Sequence, residues 1–200
     1  MASNITLKGD NIILRPLSLK DAPNFCKWLK DQEVAKFLGI YDQPVPTLKE
    51  ERQWIKDHQK DKETLDLAIE TKEGVHIGSI ALRDLRSNSN RATFGIMIGD
   101  KKYWGQGLGT EAAKLVIEYG FKKLKLHRIY LQHLAYNIRG HKSYKKVGFR
   151  KEGEFRDQVL RDGHYHNVIW MGILKNEYLK KKQKNNKSKK KSYGRKAKKN

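Results

Sequence analysis

Cysteine is nearly absent from this chain of 200 residues. Cys26 stands alone, which excludes an intramolecular disulfide and any metal site built from several thiolates. Its neighbours Phe25, Trp28 and Leu29 lead us to expect a small buried apolar side chain there. Long apolar runs are missing too. No stretch approaches the roughly 18 residues of a membrane span, and the first ten residues lack the apolar segment of a signal peptide, so the chain reads as soluble and cytoplasmic. Acidic residues are scarce, with 22 Asp and Glu against 43 Lys and Arg.

The resulting charge of +21 is uneven along the chain. Residues 180–200 hold twelve Lys or Arg and no acid, which leaves 31 basic and 22 acidic residues, or +9, in the remainder. This last segment has too few apolar residues to offset the entropy of ordering. It is expected to be a disordered polybasic tail behind one domain at residues 1–179. Charge of a single sign either solubilises the protein or neutralises the phosphates of RNA, DNA or a ribosome surface. Without an apolar face the segment is not a membrane helix. Residues 30–73 run the other way, with eleven Asp or Glu against eight Lys or Arg, and form either a solvated helical face or an acceptor site that attracts an amine.

What is present is a regular alternation of periods. Ile12 to Leu17 reads as a strand ending at Pro16, and a helix starting at Ser18 or Asp21 carries Phe25, Trp28, Leu29, Val34, Phe37 and Leu38 near helical spacing. Gly39 to Thr47 is a loop and a second helix runs through Glu50, Trp54 and Ile55. Strands follow at Thr64 to Glu70, Val75 to Leu82 and Thr93 to Ile98, separated by turns at Lys72-Glu73-Gly74 and Asn88 to Asn90. After a helix from Thr110 to Leu124 come a strand at Arg128 to Leu134 and a helix that stops at Gly148. Last comes an antiparallel pair, Phe149 to Val159 and Val168 to Leu174, around Asp162-Gly163. The sum is an α/β (α+β) domain around a mixed, mostly antiparallel sheet.

One stretch stands out. In Tyr103-Trp104-Gly105-Gln106-Gly107-Leu108-Gly109-Thr110 three glycines alternate with side chains and lead into a helix. Glycines remove side chains where a ligand must approach the main chain, and a helix start offers free N–H groups and its positive dipole end, a cradle for an anion such as phosphate. A tight turn with Thr110 as an ordinary helix cap is the plainer account. The apolar strand Ile96-Met97-Ile98 just before it supplies the strand, loop and helix context that a phosphate cradle requires.

These residues, with Asn137 seven positions before Tyr144 and then Lys145-Lys146-Val147-Gly148-Phe149, resemble the GNAT superfamily of acetyl-CoA-dependent N-acetyltransferases. The likeness runs from about Ile12 to Tyr178 and includes Leu14-Arg15-Pro16-Leu17 and the Asp162-Gly163-His164-Tyr165 turn. Within the superfamily the chain is similar to the branch of ribosomal-protein N-terminal acetyltransferases and spermidine N-acetyltransferase. The resemblance implies a sheet of about seven strands flanked by about four helices, with acetyl-CoA as donor substrate and no metal. It implies that the amides of Trp104, Gly105, Gln106, Gly107, Leu108, Gly109 and Thr110 hold the coenzyme A pyrophosphate. Ile96, Met97 and Ile98 would pair with the pantetheine arm, Asn137 would bond to that arm, and Tyr144 would protonate the departing thiolate.

Two departures limit what the resemblance carries. Trp104 occupies a position where the wider superfamily often has Arg or Gln, so a guanidinium contact is missing. The resemblance also puts Thr93 where many relatives carry a glutamate that takes the amine's proton; either Asp84, Glu33 or His133 substitutes, or the amine arrives deprotonated, or turnover is slow. His164 and His166 lack carboxylate or thiolate partners at ligand spacing and are expected as exposed hairpin residues, and His141 as a surface residue of its helix. The acceptor is the N-terminal amine of a protein, such as a ribosomal one reached through the basic tail, or a small amine such as a polyamine. A coenzyme A-binding module without catalysis, docked to nucleic acid by the tail, is the reading from another class. A homodimer is compatible with the sequence.

Overall fold

The computed structural model describes residues 5–39, 41, 43–85 and 88–183. Eight strands form one sheet in the order β1-β2-β3-β4-β5-β6-β8-β7: β1 (Leu7–Lys8), β2 (Ile12–Pro16), β3 (Leu65–Thr71), β4 (His76–Arg83), β5 (Arg91–Ile98), β6 (Arg128–Leu134), β7 (Arg150–Arg161) and β8 (His164–Leu174). Every neighbouring pair is antiparallel except β5 and β6. The helices are α1 (Ala22–Lys30), α2 (Gln32–Ala35), α3 (Leu48–Lys60), α4 (Leu108–Lys122), α5 (Ile138–Val147) and α6 (175–183). The architecture is the expected one, with one more strand and two more helices.

Local chemistry explains the additions. The expected first helix is broken at Asp31, whose extended backbone (φ −82°, ψ 109°) ends α1 while its side chain accepts the Glu33 N–H and starts α2. α6 takes in the first four residues of the segment expected as a tail. Its Lys181 Nζ donates to the carbonyls of Lys146 and Val147 at the end of α5, and Lys182 pairs with Glu118 of α4. Residues 184–200 of the expected tail lie outside the described residues.

Strand alternation divides the interior in two. Leu65, Leu67 and Ile69 of β3 point to one face, where Ala112, Val116, Ile117 and Phe121 of α4 cover them in the larger core. Ala68 points to the other face and meets Phe25 and Trp28 of α1 and Ile55 of α3. The second layer is pinned by an ion network. Arg15 on β2 forks onto Asp21 through two 2.8 Å bonds and reaches Glu70 at 2.6 Å. Burial alone would push the Asp21 carboxyl up, but the Arg15 bonds, with nearby His76, hold it below the usual carboxylate range.

Candidate active site

The site opens where the sheet loses continuity. β5 and β6 pair only through Arg91 with Arg128, Ala92 with Ile129 and Thr93 with Tyr130. Past Thr93 the strands part, and Ile96, Met97 and Ile98 line a cleft of about 310 Å³. A strand edge without a neighbour leaves N–H and C=O groups free for an extended guest. One is already taken, because the Trp104 indole Nε1 donates to the Ile98 carbonyl at 2.7 Å.

The glycine loop forms the next wall. Gly105 (φ +78°) and Gly107 (φ +84°) adopt left-handed backbone, and a Cβ added at either would meet no protein atom within 4 Å. The loop thus keeps clear a space outside the fold. Gly107 caps α4 with no side-chain bond, and the first helical bond runs from Glu111 N–H to Gly107 O at 3.0 Å. The N–H groups of Leu108, Gly109 and Thr110 therefore lack helical acceptors. With the positive end of α4 behind them these free N–H groups suit an anion. Gln106 is the one residue of the motif that does not line the cleft; its Nε2 turns back to Lys102 O at 2.8 Å.

α5 forms the opposite wall. Asn137 lines the cleft and caps its own helix, Oδ1 accepting the Gly140 N–H at 2.9 Å, which leaves its amide NH₂ free to donate to a ligand. Ser143 is bonded to Thr110 at 2.8 Å and ties α5 to α4. Two turns into α5, the Tyr144 ring packs edge-on against Phe94 and Phe149, each 6.1 Å away. The Tyr144 hydroxyl makes no hydrogen bond among the described residues and reaches the cleft. Loss of surrounding water pushes this phenol up to about 12, so it is a neutral proton donor at physiological pH.

Sequence reasoning missed three cations here. The Arg139 guanidinium lies 3.7 Å from the centre of the Trp104 ring, supplying from α5 the guanidinium that the loop itself lacks. Lys142 and Lys146 line the same wall. Their spacing of three and four residues puts them on one helical face, a signal that was readable in the sequence.

The expected bases separate. Glu33 is exposed and held by Lys101, as is Asp31. His133 is buried, with Nδ1 donating to Leu134 O at 2.8 Å and Nε2 3.1 Å from His141 Nδ1. Burial pulls the His133 ring below the usual histidine value. His141 is thus half-buried and bonded, which corrects its expected surface position. Asp84 alone contacts Thr93, accepting its hydroxyl proton in a hydrogen bond. The acid of residues 30–73 does not pool at the cleft: Asp31 and Glu33 serve Lys101, Asp66 serves Arg83 and Glu70 serves Arg15. Cys26 is half-buried on α1, His164 is exposed, and His166 is half-buried with its ring 4.8 Å from Tyr136. No helix among the described residues is long and apolar enough to cross a membrane.

The model of the acetyltransferase (GNAT) domain matches residues 11–150. The chain belongs to the GNAT family. Spermidine N(1)-acetyltransferase of Escherichia coli strain K12 is 30% identical over 169 residues, covering 84% of this chain and 89% of that protein. YdaF of Bacillus subtilis, provisionally named as a ribosomal N-acetyltransferase, is 26% identical over 175 residues, covering 85% and 94%. Among solved structures, spermidine N-acetyltransferase from Vibrio cholerae in complex with CoA and spermine shares the fold, with a TM-score of 0.78 and 23% identity over 86% of this chain and 99% of that one. This GNAT protein is an acetyl-CoA-dependent N-acetyltransferase, and its acceptor is an amine.

Proposed function

We propose that this GNAT enzyme acetylates the primary amine of a small polycationic acceptor of the polyamine type. The observation that carries the donor half is the Tyr144 phenol, unpartnered and protonated, in a cleft walled by free backbone donors. In this reading the amides of Gly105 to Thr110 hold the pyrophosphate. The free edge of β5 at Ile96 to Ile98 aligns the pantetheine, the Asn137 amide bonds to it, and Tyr144 protonates the leaving sulfur. The donor supplies an activated thioester, and the protein supplies orientation and exclusion of water.

The acceptor half is supported by the likeness to spermidine N(1)-acetyltransferase and by the sheet face behind the cleft. That face carries Asp66 and Asp84 together with the rings of Tyr130 and Trp170, which stack 6.0 Å apart. Asp66 Oδ2 and Trp170 Nε1 are buried without hydrogen-bond partners among the described residues. Carboxylates beside aromatic rings suit an ammonium. The likeness to YdaF favours a second acceptor, the N-terminal amine of a protein. A mass-spectrometric screen of polyamines and amino-terminal peptides separates them: acetylated polyamine at the higher kcat/KM upholds the proposal, and acetylated peptide at the higher kcat/KM replaces it. Residues 184–200 we read as an arm for phosphate-bearing partners, with the enzyme working in the cytoplasm.

A further inference from the structure

We infer that Thr93 and Asp84 form a two-residue proton relay that receives the proton of the attacking amine. The inference rests on acetyl transfer to an amine and not on which amine is used.

Strand alternation sets the side chains of Arg83 and Thr93 on one face. Leu82 and Phe94 are register partners in the larger core, so Arg83 and its partner Thr93 point to the opposite face. Thr93 is also the last residue of β5 to pair with β6, three residues before the cleft-lining Ile96. Continued extended backbone after Arg83 would send the next side chain to the core face. Asp84 instead has φ +63°, and this left-handed turn breaks the alternation and returns its carboxylate to the Thr93 hydroxyl. Aspartate tolerates that conformation better than most residues, at some cost, and such costs gather at functional sites.

The other bases are engaged or misplaced. Glu33 is tied to Lys101. The His133 ring packs 5.7 Å from Tyr144. A carbonyl only accepts, so the Leu134 bond fixes the proton on Nδ1, and His141 Nδ1–H occupies the one lone pair left at Nε2. Phe94, which follows Thr93, packs on Tyr144 from the core face. Thr93 and Tyr144 therefore serve opposite faces of the parted strands, one for the entering nitrogen and one for the departing sulfur.

The proton balance closes without further reagents. A protonated alkylamine first loses one proton to solvent. As the neutral nitrogen forms its bond to the acetyl carbon, its N–H proton passes to Thr93 Oγ1 while the Thr93 proton passes to the Asp84 carboxylate. The C–S bond breaks and the thiolate takes the Tyr144 proton. Asp84 then releases its proton to water and Tyr144 regains one. Thr93 is the group that meets the amine, and Asp84 is a positioning residue acting through it.

The experiment compares Thr93→Val, Asp84→Asn, their combination, and Thr93→Glu in the Asp84→Asn background. Each is assayed by coenzyme A release against the best amine of a polyamine and peptide panel. The relay predicts that either single change lowers kcat by about 10²-fold while KM for acetyl-CoA stays within about twofold, that the double change is no worse than either, and that Thr93→Glu restores about tenfold or more. Unchanged kcat in Asp84→Asn, additive losses, or no restoration by glutamate overturns it. A chain that loses only thermal midpoint reveals a structural role and overturns it as well. The acceptor proposal fails separately, in the wild-type ranking of that same panel.

Discussion

In the function proposed above, the donor and acceptor halves of this enzyme are built from different materials. The donor wall is main chain: two left-handed glycines, the uncapped start of α4 and a strand edge. Its helix-start N–H groups lack helical acceptors, while the Trp104 indole takes the Ile98 carbonyl. On the acceptor side the polar groups are side chains, and most are engaged with each other, as in Asp66 with Arg83 and Asp84 with Thr93. Backbone donors are changed by few point substitutions, chiefly at glycine or to proline, whereas side-chain pairs can be replaced singly. The donor half therefore tolerates little variation, and the acceptor half is where a new amine preference can arise.

That contrast can be broken experimentally, in order of expected effect on transfer. Tyr144→Phe removes the one proton donor of the donor half and should lower kcat by about 10²-fold or more, with acetyl-CoA affinity nearly intact; an unchanged turnover would remove Tyr144 from the chemistry. Because burial raises that phenol to about 12, its loss of a proton should cause no fall in wild-type rate between pH 7 and about 10, read from a pH profile. Gly107→Val puts a β-branched side chain at φ +84° in the cradle and should raise KM for acetyl-CoA by about 10-fold or more, with KM for the amine little changed. Arg139→Ala should weaken donor binding by about 10-fold and flatten its salt dependence, as measured by calorimetry at two ionic strengths. Removing residues 184–200 should leave both KM values and kcat unchanged. A salt-sensitive loss of RNA binding in that truncation is the outcome that makes the segment a phosphate-binding arm.

The two halves also differ in how far the sequence disclosed them. Gly105, Gly107, Gly109 and the strand before them are local signals, because positive φ and helix starts are written in adjacent residues. Arg139 was hidden by distance. Its place on Trp104 depends on the packing of α5 against α4, which no neighbouring residue encodes. Asp84 was harder still: a non-glycine residue gives little warning of a left-handed turn, and without it the carboxylate would point to the wrong face. Asp31 shows the same limit, since unbroken helical spacing from Phe25 to Leu38 concealed a cap in the middle. The two-residue β1 is too short to carry any period, and α6 draws its order from contacts with α4 and α5.

The stacking of Arg139 on Trp104 gives the protein its own optical reporter. An indole under a guanidinium, with its N–H bound to the Ile98 carbonyl, emits according to how that cation and that carbonyl are arranged. A donor molecule held in the cleft as proposed would disturb both. Of the four tryptophans, Trp104 is the one that lines the cleft. Donor occupancy can thus be followed by fluorescence in the unlabelled enzyme, with Trp104→Phe as the silent control.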